Sequence, residues 1–222
     1  MTRIAVLASG GGSNLQAILA HQDALGRRAR GVVSLVVSDR DGAPALERAR
    51  LRGIPAVHVP HGAPPEALEE TLAAHGIELV ALAGYLRLVP AAVVRRWTGH
   101  VLNVHPALLP AFGGQGMYGH RVHEAVIASG ARLSGATVHF VDEQFDRGAI
   151  IAQWPVPVPL GDTAITLAAR VLALEHRIYP WCVEAVARGA VQLGDDGQVH
   201  GELPYEFLKF GVDGGHPFVP DA

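Results

Sequence analysis

At 222 residues, 49% of them apolar, and a formal charge of -3, the chain can bury a sizeable core and carries no basic block suited to a nucleic-acid partner. Cys182 is its one cysteine, which excludes an intramolecular disulfide and a cysteine-rich metal site. The apolar run Ile4 to Ala8 is too short for a membrane span and lacks a signal peptide's layout, so the chain reads as soluble and cytoplasmic.

Ile4 to Ala8 reads as a buried strand, followed by Ser-Gly-Gly-Gly-Ser-Asn at 9–14 and a helix with Leu15, Ile18, Leu19 and Leu25 on one face. Ser13 with Gln16 three residues later has the form of a capping box, so the helix is expected to start there. Strand, glycine loop and helix start together make an anion site: glycines let the backbone approach, and unpaired N–H groups face the ligand. The plain alternative is a tight turn that binds nothing. Gly10 and Gly12 match the first two glycines of a dinucleotide fingerprint, but the third position falls on Leu15. Asp39, after the second strand at Val32 to Val37, stands where a ribose-binding acid would, so a nicotinamide-dependent dehydrogenase stays open at this point.

Pro44 and Gly53 bracket the next helix, and Pro55 to Val59 reads as a strand. Pro64 and Gly76 bracket another helix with Leu68 and Leu72 inward; Leu79 to Ala83 is the following strand, and Pro90 opens a short helix to Trp97. This alternation predicts an α/β fold with a mostly parallel sheet and helices on both faces. Val101 to His105 is the fifth strand, with Asn103 and His105 on one side of it and Pro106 ending the ladder. They are either two satisfied strand-end groups or half of a site.

The stretch from Pro106 to Gly119, rich in proline and glycine, is longer than a simple connection needs. A helix from His120 to Ser129 leads to strands at Ala136 to Val141 and Ala149 to Trp154, too closely spaced for a helical crossover, so the sheet should turn antiparallel there. Asp142, Glu143 and Asp146 crowd the turn, where any one of them can be a solvated turn residue or a partner for His105. A long helix spans about Asp162 to Arg188, with Leu167, Val171, Leu174, Ile178 and Trp181 as its core stripe and Glu175 off it, by periodicity an ordinary exposed residue. Gly194 to Gly197 is a turn between two short strands. One domain over 1–200 is expected, followed by a tail, 201–222, without assignment. His120 and His123, spaced i, i+3 without a second ligand pair, do not make a metal site, and none is expected.

In order along residues 3–190, Ser-Gly-Gly-Gly-Ser-Asn-Leu-Gln at 9–16, Leu-Ala-Gly-Tyr-Leu-Arg at 82–87, Asn-Val-His-Pro-Ala-Leu-Leu-Pro at 103–110, Val-His-Phe-Val-Asp-Glu at 138–143 with Asp146, and Glu-His-Arg-Ile-Tyr-Pro at 175–180 carry a resemblance. The chain resembles the glycinamide ribonucleotide formyltransferase family, folate-dependent enzymes of purine biosynthesis. The resemblance implies a Rossmann-like formyltransferase sheet and 10-formyltetrahydrofolate as the formyl-donating co-substrate, with no metal. It implies Asn103, His105 and Asp146 as the catalytic group, and Gly11, Gly12, Ser13 and Asn14 around the ribonucleotide phosphate with Glu175 on the ribose. Leu86, Arg87 and Val89, with Val141, Asp142 and Glu143 of the later turn, would meet the folate. Small-molecule partners are expected, with no nucleic acid and no membrane; a homodimer is allowed. Leu172 stands where the family usually has Lys or Gln, no arginine occurs between Pro60 and Glu66, and the loop after Pro110 differs from the family's shorter version. Formylation of a methionyl-tRNA or an amino sugar nucleotide, or hydrolysis of the formyl folate, are the rival outcomes for the same catalytic group.

Overall fold

The computed structural model describes residues 1–203; the tail assignment from 204 onward lies outside the described residues. Strands and helices alternate in chain order: β1 (Thr2–Leu7), α1 (Ser13–Leu25), β2 (Gly31–Ser38), α2 (Pro44–Leu51), β3 (Ala56–His58), α3 (Glu66–Ala74), β4 (Leu79–Leu82), α4 (Ala91–Arg96) and β5 (Val101–His105). Then follow α5 (His120–Ser129), β6 (Leu133–Phe140), β7 (Ile150–Pro157), α6 (Ala164–Ala187), β8 (Val191–Leu193) and β9 (Val199–Gly201). The main sheet has the order β3-β2-β1-β4-β5-β6-β7, parallel as far as β5 and antiparallel at β6 and β7, while β8 and β9 form a separate hairpin. The expected α/β class, with helices on both faces and an antiparallel end, is what forms.

Strand alternation divides the core. Ile4 and Val6 of β1, with Leu102 and Val104 of β5, face α1, α2, α5 and α6; Ala5, Leu7 and Val101 face α3 and α4. The first cluster continues across β6 through Ala136, Val138 and Phe140, whereas the second stops at Val101. Beyond β5, therefore, no helix among the described residues covers the sheet face on the α3 and α4 side. Asn103, His105 and His139 alternate with the residues of the first cluster, so they project from that uncovered face.

The chain winds outward from β1 to β3 and returns to β4 on the other side of β1, which makes the gap between the carboxyl ends of β1 and β4 the topological switch point. Ser9 stitches its two walls: its N–H donates to the Gly84 carbonyl at 3.0 Å and its Oγ accepts from Leu86 N–H at 3.0 Å.

Helix α1 does begin at Ser13, but the expected capping box is absent. Gly12 is the N-cap, left-handed at φ 71°, and no side chain caps the helix. With Ser13 already the first helical residue, its hydroxyl is one position too late to reach back over the first turn. Helix α6, by contrast, carries a reciprocal box: Thr163 Oγ1 accepts from Thr166 N–H at 3.2 Å while Thr166 Oγ1 accepts from Thr163 N–H at 3.0 Å. Among the described residues no helix is long and apolar enough to cross a membrane.

Candidate active site

A cavity of about 440 Å³ runs over the carboxyl edge of the sheet from one face to the other. Gly10 to Asn14 and the α6 residues Ala168, Leu172 and Glu175 form one end; Leu82 to Val89 and the ends of β5 and β6 form the middle; Val141, Gln144, Phe145 and Asp146 close the other. The residues expected around the ribonucleotide, Gly11, Gly12, Ser13 and Asn14 at its phosphate and Glu175 at its ribose, are brought together, as are Leu86, Arg87, Val89 and Val141 of the folate group. Asp142 and Glu143 do not line the cavity. Asp142 Oδ1 accepts from the Gln144 N–H at 2.8 Å, and Glu143 pairs with Arg95 at 3.0 Å, because the turn needs the first as its own cap and the second finds a cation on α4. Asp39, the ribose acid of the dehydrogenase reading, is not part of the lining either.

At the phosphate end, Gly10 and Gly11 have open space where a Cβ would stand, whereas a Cβ on Gly12 would lie 2.9 Å from Ala45 Cβ. Gly12 is thus required by its left-handed backbone and by the approach of α2; the other two glycines keep the cavity wall bare. No hydrogen bond to another described residue engages the N–H groups of Gly11, Gly12, Ser13 and Asn14. Glu175, expected to be exposed, is buried beside α1, where its Oε2 accepts from Asn14 Nδ2 at 2.7 Å. Burial raises its carboxyl to about 7, opposed by the Asn14 bond. Asn14 Oδ1 is buried with no partner among the described residues, a polar atom left over at the cavity wall.

Around β5 the polar side chains are set by register. Asn103 pairs across the strands with His139, and His105 with Thr137. Asn103 Nδ2 lies 3.2 Å from His139 Nε2 and 3.5 Å from Asp146 Oδ1. His139 Nδ1 is 2.7 Å from the Phe140 carbonyl, which can only accept, so Nδ1 carries the hydrogen and Nε2 receives the asparagine N–H. That assigns the Asn103 amide nitrogen, not its oxygen, to the Asp146 side. By the same logic His105 Nε2–H donates to the Phe112 carbonyl at 2.9 Å, leaving Nδ1 toward Asp146 Oδ2 at 3.5 Å. Thr137 braces the turn after His105, donating to the Ala107 carbonyl at 2.6 Å and accepting from Leu109 N–H at 3.0 Å.

Asp146 is held from three sides. Its Oδ2 accepts from Gly114 N–H at 2.9 Å, its Oδ1 is 3.7 Å from His139 Nε2, and its own backbone is left-handed at φ 56°. Gly113 packs against it so closely that a Cβ there would lie 3.2 Å from Asp146 Cβ. Burial works to raise the Asp146 carboxyl, but the His139 and His105 rings, in the forms that carry a proton toward it, and the Gly114 N–H together bring it below its ordinary value. For His105 burial outweighs Asp146 and the imidazole is lowered, so it rests neutral at pH 7. His123 is also buried at the cavity, and burial lowers it to about 4. His139 carried a readable signal, an imidazole in the mostly apolar run Ala136 to Val141, but its partner follows only from the antiparallel register. Among the described residues no three His, Cys, Asp or Glu side chains are placed to hold a metal ion.

An open α/β sheet thus brings an Asn–His–Asp group and a bare glycine cradle together in one cavity at its switch point. Residues 2–183 match the family described as formyl transferase, and the chain belongs to that family. It is 44% identical over 215 residues to the chloroplastic phosphoribosylglycinamide formyltransferase of Vigna unguiculata, covering 93% of this chain and 68% of that protein. It is 38% identical over 203 residues to the human trifunctional purine biosynthetic protein adenosine-3, covering 89% of this chain and 19% of that larger protein. The crystal structure of glycinamide ribonucleotide transformylase 1 from Symbiobacterium toebii superposes with a TM-score of 0.81 at 43% identity, covering 90% of this chain and 93% of that one.

Proposed function

We propose that this chain transfers the formyl group of 10-formyltetrahydrofolate to the amine of glycinamide ribonucleotide in purine biosynthesis. The observation that carries the reading is the pairing, within one cavity, of the Asn103–His105–Asp146 group with a glycine cradle whose N–H groups have no partner among the described residues. A tRNA acceptor or simple hydrolysis gives that cradle no purpose. The phosphate rests on Gly11 to Asn14, Glu175 and Asn14 Oδ1 meet the ribose hydroxyls, and the folate lies along Leu86, Arg87, Val89 and Val141.

The amine attacks the formyl carbon and charge grows on the formyl oxygen. The Asn103 N–H at 3.5 Å from Asp146 is at the outer limit of a hydrogen bond, so it is the weakly held donor available to that oxygen. The His105 Nε2–H exchanges the neutral Phe112 carbonyl for the oxyanion, an exchange favoured because bonds to an ionised acceptor are the stronger. Donors aimed at developing charge are each typically worth about a hundredfold in rate. Asp146, kept ionised, receives the amine proton through water and returns it to the folate nitrogen as the carbon–nitrogen bond to the donor breaks. The products are a formamide and tetrahydrofolate. The deciding assay follows tetrahydrofolate release from 10-formyltetrahydrofolate with and without glycinamide ribonucleotide. Release is expected only with the ribonucleotide, and release that ignores it overturns the acceptor assignment.

A further inference from the structure

Among the described residues, the cavity end that would hold the phosphate brings no cationic side chain: Leu172 of α6 lies on its wall, and the N–H groups of the glycine turn must do the binding. Their direction is set from behind. The Gly10 carbonyl accepts from Ala45 N–H of α2 at 3.2 Å and the Gly12 carbonyl from Gln16 N–H at 2.9 Å. Between them, the Gly11 carbonyl accepts from Arg48 Nε at 2.8 Å. In a trans peptide the N–H points opposite to the C=O of the same unit, so tying the Gly10 and Gly11 carbonyls to α2 aims the N–H groups of Gly11 and Gly12 away from it, while the Gly12 carbonyl, taken by α1 itself, turns the Ser13 N–H out of the start of that helix. Two of the three ties are backbone groups, whereas Arg48 is a side chain. Its guanidinium makes no ion pair among the described residues, since the neighbouring Glu47 pairs with Arg50 and Asp23 with Arg52.

We propose that Arg48 is a positioning residue for the acceptor's phosphate: it locks the Gly11–Gly12 peptide with its N–H toward the cavity and leaves its positive charge directly behind the cradle. It acts through the loop, replacing the side-chain cation missing at Leu172 with a preset backbone donor. This rests on the reading that the glycine turn holds a phosphate.

The test uses the full chain carrying Arg48→Met or Arg48→Lys, with steady-state kinetics for both substrates and inorganic phosphate as a competitive probe. In Arg48→Met the ribonucleotide KM and the phosphate inhibition constant both rise, on the order of tenfold for a lost charge-assisted bond. The turnover at saturation, the donor KM and the melting temperature stay near wild type. Arg48→Lys, which keeps the charge but moves the donor by one bond, falls between. Unchanged ribonucleotide KM and phosphate inhibition in both variants overturn the proposal, as does a fall in turnover with both KM values unmoved. A wild-type chain that phosphate does not inhibit competitively with the ribonucleotide overturns the phosphate reading itself, and the role of Arg48 with it.

Discussion

Asp146 and Glu175 are two buried carboxyls whose surroundings push them in opposite directions, and each direction has a measurable consequence. Asp146 is held below the ordinary carboxylate range by His139, His105 and the Gly114 N–H against the cost of burial, so it stays a proton acceptor at neutral pH. Asp146→Asn keeps the left-handed backbone, which asparagine tolerates, and removes the acceptor. Turnover is expected to drop at least about tenfold with unchanged circular dichroism; near-normal turnover in the purified variant removes Asp146 from the mechanism. Glu175 is raised from 4.5 to about 7, so between those values the folded chain holds a proton that the unfolded chain releases. Stability therefore declines as pH rises through this window, and the whole penalty, up to ~3 kcal/mol, is present above it. Glu175→Gln should raise the melting temperature over wild type more at pH 8 than at pH 5, while weakening ribonucleotide binding at pH 8. A melting shift equal at both pH values would show that the carboxyl carries no such burden. The proposed ribose contact is thus made at the expense of stability.

The elements themselves were largely legible in the sequence. Pro44 with Gly53 and Pro64 with Gly76 punctuate helices by removing a donor at the start and tolerating a left-handed end, and the apolar runs between them leave little choice but buried strands. What escaped depended on contacts between elements. Glu175 is off the core stripe of α6 by periodicity, yet α1 packs alongside and buries it, which one helix's pattern does not reveal. The role of His139 needed the pairing with Asn103, and the directions of Asp142 and Glu143 needed the turn's own hydrogen bonds. The start of α1 is the most instructive miss, since α6 closes its first turn with Thr163 and Thr166 whereas α1 leaves its first turn open to the cavity. The glycines there divide by duty. Gly12→Ala puts a methyl 2.9 Å from Ala45 Cβ on a backbone that disfavours it, and should cost about 1–3 kcal/mol in chemical denaturation. Gly11→Ala meets nothing among the described residues and should melt like wild type, but with a raised ribonucleotide KM. If Gly11→Ala instead unfolds the chain and leaves KM alone, the turn is a structural one.

At the scale of the whole molecule, the two ends of the cavity belong to different faces of the sheet. Helices α1 and α6 supply the glycine turn and Glu175 on one face; on the other, where the second apolar cluster stops at Val101, the turn carrying Asp146 folds over Asn103, His105 and His139 in place of a helix. The antiparallel end of the sheet is what makes this possible, because a tight connection from β6 to β7 leaves no crossover helix to cover that face. Two substrates can then approach over the carboxyl edge from opposite sides and meet at β5. Such an arrangement makes their anchors separable. Arg87, on the loop after β4, lines the middle of the cavity toward the proposed folate side, and Arg87→Met should raise the donor KM with the ribonucleotide KM within about twofold. Gly11→Ala should do the converse. Because neither anchor shares a partner with the other, the losses in kcat/KM of the two variants should multiply in the double variant, measured with each substrate varied in turn. Losses that fail to multiply would mean that one ligand organises the site of the other, and the two-sided approach would have to give way to an ordered one in which the first substrate builds the second's binding surface.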